Sequence, residues 1–211
     1  MNKNSLKNIA KEVINLEIEA LKILKKSVNK NFDKAVNAIV NCQSKIILCG
    51  VGKSGLIAAK IASTLSSVGC PAFSLSANDC LHGDLGSITK KDILVLISNS
   101  GKSEEIIPIV KFANKNRIRL IGIVSKKNSF LYKGSNIKIL LPDVKESGLG
   151  VVPTSSTSIQ LAIGDALAVA ALKKKQFSRY DFSRLHPGGS LGKQLKTVGD
   201  IMATGIKIPF I

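Results

Sequence analysis

The strongest constraint on the fold is an alternation that runs through the middle of the chain. Lys45 to Cys49, Ala72 to Leu75, Ile93 to Ile97, Leu120 to Val124 and Ile137 to Leu141 are compact apolar runs, most of them bounded by Gly, Ser or Asn. Runs this short, with no polar alternation, are strands buried on both faces. Segments 53 to 67 and 103 to 115, which separate them, carry helical periodicity. Helices between buried strands require right-handed crossovers and a parallel sheet. The expected fold class is therefore α/β, a three-layer α/β/α sandwich with a five-stranded parallel sheet.

Both flanks read as helical. Residues 5 to 28 place Ile9, Val13, Leu16, Ala20 and Leu24 on one stripe, with Ile14, Ile18 and Leu21 beside it. Such a stripe is wide for a helix lying on one domain and points to a partner subunit as a second cover. A short helix, Phe32 to Val40, completes the segment before the first strand. Beyond Pro153, T-S-S-T-S leads into I-Q-L-A-I-G-D-A-L-A-V-A-A-L-K-K-K, a helix with Ser and Thr capping candidates at its start and lysines at its end, both suited to the macrodipole. Its apolar stretch, Ile159 to Leu172, is shorter than a bilayer span and interrupted by Gln160 and Asp165. No membrane crossing is expected.

The 31 Lys and Arg against 14 Asp and Glu give 211 residues a formal charge of +17. The lysines are scattered, the tightest run being Lys173 to Lys175, and aromatics amount to 4% with no Trp. Stacking platforms for single strands are lacking, so no nucleic-acid partner is expected. Cys42, Cys49, Cys70 and Cys80 form no C-x-x-C pair and read as small buried residues in a reducing compartment. The N-terminus shows no apolar core with a small-residue cleavage site, and the expected localisation is cytoplasmic.

Three loops carry the chemistry. The first, C-G-V-G-K-S-G from Cys49 to Gly55, satisfies G-x-G-x-x-G and imitates the end of a Walker A motif. Walker A needs a glycine where Ile47 stands, and the dinucleotide reading needs an acid where the second strand ends in Leu75-Ser76. No nucleotide cofactor follows. Lys53 is a cation at a helix start, which opposes the dipole and calls for an anion nearby. The second loop, S-N-S-G-K-S-E-E from Ser98 to Glu105, offers three hydroxyls, a glycine and free helix N–H groups as a cradle for a phosphate dianion. The third element is dispersed: H-G-D-L-G, K-E-S-G, P-T-S-S-T and H-P-G-G, with the chain's two histidines, His82 and His186, in glycine-rich sequence.

In this order, C-G-V-G-K-S-G, H-G-D-L-G, S-N-S-G-K-S-E-E-I, P-T-S-S-T, G-D-A-L-A and S-R-L-H-P-G-G-S-L-G-K resemble the sugar isomerase (SIS) domain of arabinose-5-phosphate isomerases, over residues 40 to 205. The resemblance implies interconversion of D-ribulose 5-phosphate and D-arabinose 5-phosphate, the entry to Kdo synthesis for lipopolysaccharide, in a homotetramer with active sites at subunit contacts. Carried over by motif, Lys53, Glu105, Glu146 and His186 resemble the catalytic set. His82, Gly69 and Cys70 fall where the family borders the sugar. Ser54, Ser98, Ser100, Ser103 and Thr154 complete the expected substrate contacts. Ser76 stands where many members carry a metal-binding His, so no metal site is expected. The resemblance divides the chain into a SIS domain, residues 1–197 with its N-terminal helices in 1–44, and residues 198–211, the start of a missing CBS region or a tail.

The chemistry agrees with the residue types. An aldose–ketose isomerisation moves one proton between adjacent carbons through an enediol, and needs a base, an electrophile and exclusion of water but no redox cofactor. Histidine titrates near neutral pH, so His186 is the leading candidate for the base, with Glu105 orienting hydroxyls or taking the role itself. Two other readings compete. A sugar-phosphate-sensing regulator would need a DNA-binding module, and residues 1–44 offer only one long and one short helix. An isomerase of another sugar phosphate shares every motif.

Overall fold

The computed structural model describes residues 5–187 and the isolated positions 199, 202 and 205. The elements follow in the order α1 (Leu6–Ser27), α2 (Lys30–Val40), β1 (Ile46–Gly50), α3 (Lys53–Ser67), β2 (Ala72–Ser76), α4 (Ala77–Cys80), a 3₁₀ turn (Asp84–Ser87), β3 (Ile93–Ser98), α5 (Ile106–Lys115), β4 (Arg119–Val124), α6 (Phe130–Gly134), β5 (Ile137–Leu140), α7 (Gly148–Val151), α8 (Ser155–Lys174) and α9 (Arg179–Leu185). The five strands form one sheet in the order β2-β1-β3-β4-β5, and every pairing is parallel. This is the three-layer α/β/α sandwich expected from the sequence.

The unbroken apolar runs are explained by two covered faces. Along β1, Ile46 and Leu48 enter the layer made with α2, α3 and α8, while Ile47 and Cys49 enter the layer made with α4, α5 and α6. In β3, Ile93, Val95 and Ile97 go one way and Leu94 and Leu96 the other. Each fully buried Ile or Leu contributes roughly 1.5–3 kcal/mol, so these central strands anchor everything they position. At the amino end, Asp92 is buried and accepts from Lys45 Nζ, Thr89 N and Thr89 Oγ1. Burial pushes its carboxyl up, but bonds from Thr89, Ser44 and Lys45 outweigh that and bring it down to about 2.

α1 and α2 pack on α8, and α2 also on β5. Only Ala20 and Leu24 of α1 are buried, while Ile9, Ile14, Ile18, Leu21 and Ile23 are 38–56% exposed. The wide stripe read in the sequence is thus half covered within one chain.

Two boundaries differ from the sequence reading. α5 starts at Ile106 rather than at 103, because Gly101 adopts φ +62° and the residues after it complete a turn. Pro108 then falls in the first helical turn, where its missing N–H costs nothing. α8 starts at Ser155, but its N-cap Thr154 makes no side-chain cap bond. The cap is supplied from elsewhere, as described below. The last apolar helix is part of the core: Ile159, Ile163, Leu167, Ala168 and Ala171 are buried in the α2–α3–α8 layer. α8 is long and apolar enough to cross a membrane by length and composition, but half of that window is buried inside the protein.

Candidate active site

In an open parallel sheet, ligands bind outside the carboxyl ends of the strands where successive connections leave in opposite directions. Here that place lies between β1 and β3, with α3 on one face of the sheet and α5 on the other. The register pairs Gly50 with Ile97, so the turns after the two strands begin side by side, ~4.8 Å apart.

The first turn brings helix and strand into contact. A Cβ on Gly50 would lie 2.8 Å from the Ser54 carbonyl, and one on Gly55 would lie 2.8 Å from the Gly50 oxygen. Gly52, at φ +56°, is the N-cap of α3, and Lys53 and Ser54 are its first two residues. Lys53 is exposed, and no acid stands in that first turn. Ammonium and helix dipole therefore add positive potential at one spot. The Ser54 hydroxyl donates to Gln160 Oε1 at 3.1 Å.

The serine-rich turn is held from below. Ser98 is buried and its Oγ accepts from Gly101 N at 3.0 Å, and Ser100 Oγ accepts from Lys102 N at 3.3 Å. Each hydroxyl is thereby oriented with its own proton left to donate. Gly101 is packed so closely that a Cβ there would lie 2.4 Å from Ser129 Oγ, and its carbonyl accepts from Leu131 N. Asn99 is tied to Ser125 by a side-chain bond of 2.6 Å. Ser103 accepts from Ile106 N through its carbonyl, and Glu105 is the half-buried N-cap of α5 with no side-chain cap bond.

Glu146 reaches the start of α8. Its carboxylate accepts from Thr154 N at 2.8 Å, Thr154 Oγ1 at 3.2 Å and Ser156 N at 3.3 Å. Burial raises its carboxyl, but bonds from Ser156 and Thr154 outweigh this and hold it below the ordinary value, so it is firmly ionised. Thr154 Oγ1 also accepts from Ser147 N. The Thr/Ser caps expected from the sequence are replaced by an acid from eight residues upstream. His82 is exposed in the turn between α4 and the 3₁₀ turn, which follow the carboxyl end of β2.

Gly69 and Cys70 are not brought to this end, and the described contacts of His186 are with its own helix. Gly69 and Cys70 lie in the turn from α3 into β2, at the amino end of the sheet. Gly69 has φ +77°, a Cβ on it would strike the Phe177 ring at 2.4 Å, and its carbonyl accepts from Lys175 Nζ. Cys70 is 1% exposed, and burial raises its thiol. Nine residues after Phe177, His186 ends α9, a helix opened by a Ser178–Asp181 capping box. Its ring stacks on Phe182 at 3.9 Å, and Nδ1 lies 2.8 Å from the Phe182 carbonyl oxygen. A carbonyl only accepts, so Nδ1 carries a proton, and in the neutral tautomer Nε2 presents a lone pair. Within one chain, then, Gly69 and Cys70 stand apart from the crevice, because the turn that holds them closes the opposite end of the sheet. Gly188 and Gly189 of the H-P-G-G motif, and the 198–211 segment but for three isolated positions, lie outside the described residues.

Sequence reasoning singled out neither Gln160 nor the Asn99–Ser125 tie. Gln160 gave one signal, a polar residue interrupting the apolar stripe of α8. Among the described residues, no group of three His, Cys, Asp or Glu is placed to hold a metal ion.

Residues 39–170 match the family model of the SIS domain. The chain belongs to the SIS domain family. It is 42% identical over 203 residues to arabinose 5-phosphate isomerase KdsD of Yersinia pestis, covering 95% of this chain and 62% of that protein. To the enzyme of the same name in Francisella tularensis it is 44% identical over 209 residues, covering 97% and 64%. The chain therefore spans somewhat less than two thirds of these curated relatives. Among solved structures, the c3406 protein of E. coli CFT073, in its complex with arabinose 5-phosphate, superposes with a TM-score of 0.84 at 34% identity, covering 89% of this chain and all of that one.

Proposed function

We propose that this SIS domain is an aldose–ketose isomerase that interconverts D-ribulose 5-phosphate and D-arabinose 5-phosphate through an enediol. The observation that carries the reading is the convergence, at the β1/β3 crevice, of an anion-seeking Lys53 and a serine-lined turn, in a chain related to enzymes named for this sugar phosphate. The terminal phosphate of a pentulose fits the cradle of Ser98, Ser100, Ser103 and the α5 start. Lys53 closes on sugar oxygens or phosphate, and Ser54 and Thr154 line the entrance. Because its terminal oxygen is esterified, ribulose 5-phosphate stays open-chain and arrives ready for proton transfer.

Gly69 and Cys70 lie at the opposite end of the sheet from the cradle, which supports a homo-oligomer, a tetramer by resemblance, in which they and His186 complete a neighbour's site. The exposed apolar face of α1 supports the same reading. His186 Nε2 then takes the carbon-bound proton, while Glu105 moves protons among the oxygens and Glu146 assists from the α8 start. No redox group enters this scheme. A cytoplasmic location, and a product destined for Kdo and lipopolysaccharide, follow from the same kinship.

The test is direct. Purified protein is incubated with ribulose 5-phosphate and the products are resolved; arabinose 5-phosphate is the expected product. Conversion of a hexulose phosphate with none of ribulose 5-phosphate assigns the chain to another substrate, and binding without any turnover makes it a sensor.

A further inference from the structure

Among the described residues, three buried side-chain polar atoms lack a hydrogen-bond partner: Ser147 Oγ, Ser155 Oγ and Gln160 Nε2. All three belong to one stretch of chain, the loop before α8 and the first two turns of that helix. Buried polar atoms are nearly always paired, so a cluster of exceptions marks a spot whose hydrogen bonding is completed by something else.

Gln160 is 1% exposed, and its amide is engaged at one end only: Oε1 accepts from Ser54 Oγ while Nε2 has no acceptor. Ser54 is the second residue of α3, directly after the lysine that calls for an anion. A hydroxyl has one proton to give. As long as Ser54 gives it to Gln160 Oε1, the side chain can offer an incoming anion only its lone pairs.

The terminal torsion of a glutamine is soft and nearly two-fold. Turning the amide over places Nε2 against Ser54 Oγ. The nitrogen then donates, the oxygen accepts, and the Ser54 proton is released toward the crevice. Either orientation leaves one amide atom of Gln160 unpaired, so the free protein has little to choose between them. An anionic oxygen that takes the released proton makes a charge-assisted bond and decides the matter.

We propose that Gln160 is a positioning residue that sets the direction of the Ser54 hydroxyl, reversing its amide when a phosphate monoester held in the crevice presents an anionic oxygen to the N-terminus of α3. The proposal rests on the sugar-phosphate reading above. It makes Ser54 a donor on demand and links the first turns of α8, where Glu146 is anchored, to the first turn of α3.

Two substitutions separate this role from mere packing. Gln160→Glu can only accept from Ser54, so it holds the hydroxyl away from the anion. Gln160→Met keeps the volume but no longer competes for the proton. Affinity for inorganic phosphate is measured by calorimetry on the full chain from pH 4 to 8, a range that spans the ordinary glutamate carboxyl, as a ratio to wild type at each pH. KM and kcat for ribulose 5-phosphate are measured alongside. The ratio cancels the titration of phosphate and of the charged groups on the surrounding elements, Lys53 and Lys60 of α3, Glu146 before α8 and Asp165 within it. Gln160→Glu is expected to weaken phosphate binding roughly 10- to 100-fold, raising KM far more than it lowers kcat. The deficit should shrink as pH falls, since protonating the carboxyl restores a donor. Gln160→Met should lose much less.

Equal losses in the two variants, or a Gln160→Glu deficit that ignores pH, overturn the proposal. Should Gln160→Glu fail to fold, Ser54→Ala and Ser54→Ala/Gln160→Met carry the same test. Equal phosphate affinity of those two is expected, and a further loss in the double variant refutes it. A wild-type protein that binds phosphate without converting ribulose 5-phosphate defeats the isomerase reading while leaving the phosphate arm decisive. Normal turnover with indistinguishable Gln160 variants defeats the Gln160 proposal alone.

Discussion

Replacing Glu146 by Gln separates two roles that the structure joins in one carboxylate. Glu146 belongs to the resembled catalytic set, yet in the free chain it caps α8 by accepting from Thr154 N, Thr154 Oγ1 and Ser156 N. A glutamine with its oxygen in the Oε2 place keeps all three bonds, but its N–H₂ takes the Oε1 place, which lies 3.3 Å from Ser156 N, and so sets donor beside donor. The exchange weakens three bonds from the charged to the neutral level, loses the second Ser156 N–H contact and removes a negative charge from the positive end of a long helix. Together these cost about 2–3 kcal/mol. For a domain of this size that lowers Tm by roughly 4–12 °C. The pH dependence gives an independent check. The Glu146 carboxyl lies below its ordinary value of 4.5 in the folded protein, so its contribution is complete above that pH and is lost as pH falls through the folded value. Urea midpoints of wild type and Glu146→Gln should differ most at pH 7 and converge as pH falls below the ordinary carboxyl value. Equal midpoints at pH 7 would refute the capping argument, and a loss of turnover in that same variant would make Glu146 chemical rather than structural.

Asp92→Asn should cost about 2 kcal/mol at pH 7, read from the urea midpoint. Because the folded carboxyl is lowered to about 2, the difference should persist down to pH 4 and fade only below it. Gly164→Val should destabilise by roughly 1–3 kcal/mol, since a Cβ there lies 2.2 Å from Ile61 Cδ1, and Ile61→Ala in the same chain should recover part of the loss. Ser98→Ala and Ser100→Ala should each raise KM about tenfold or more through a lost bond to a charged oxygen; an unchanged KM in both places the phosphate elsewhere. His186→Ala should lower kcat roughly 10²–10⁴-fold with substrate affinity largely kept. If it still exchanges the carbon-bound proton with solvent at the wild-type rate while Glu105→Gln does not, Glu105 is the base.

The sheet was legible because its signal is local: β1, β3 and β4 are buried on both faces, and no soluble alternative accommodates such short apolar runs. The crevice loops were legible because Gly50, Gly52 and Gly101 are demanded by close approach or by positive φ, which few other residues satisfy. What the sequence withheld depends on distance through space. No spacing rule links Glu146 to the α8 cap across a loop with Leu149 and Gly150 at positive φ, or Gln160 to Ser54 across two helices. The start of α5 was misplaced for a related reason. Ser103 has the composition of a cap, but the preceding glycine is pinned by Ser129, a residue on another connection.

α8 also works as a ruler. Its 20 residues measure ~30 Å. One end is fixed where Ser156 meets Glu146, the middle where Gly164 admits Ile61, and the far end by Lys175 on the Gly69 carbonyl. Adding or removing one residue between these marks advances the helix by ~1.5 Å and turns it by ~100°, so no single insertion can satisfy all three. Length variation should therefore collect in connections that carry none of these marks, such as 126–128, and be refused within α8, whatever its sequence. The distance between the two ends of the sheet is thus set by a count of residues rather than by their identity.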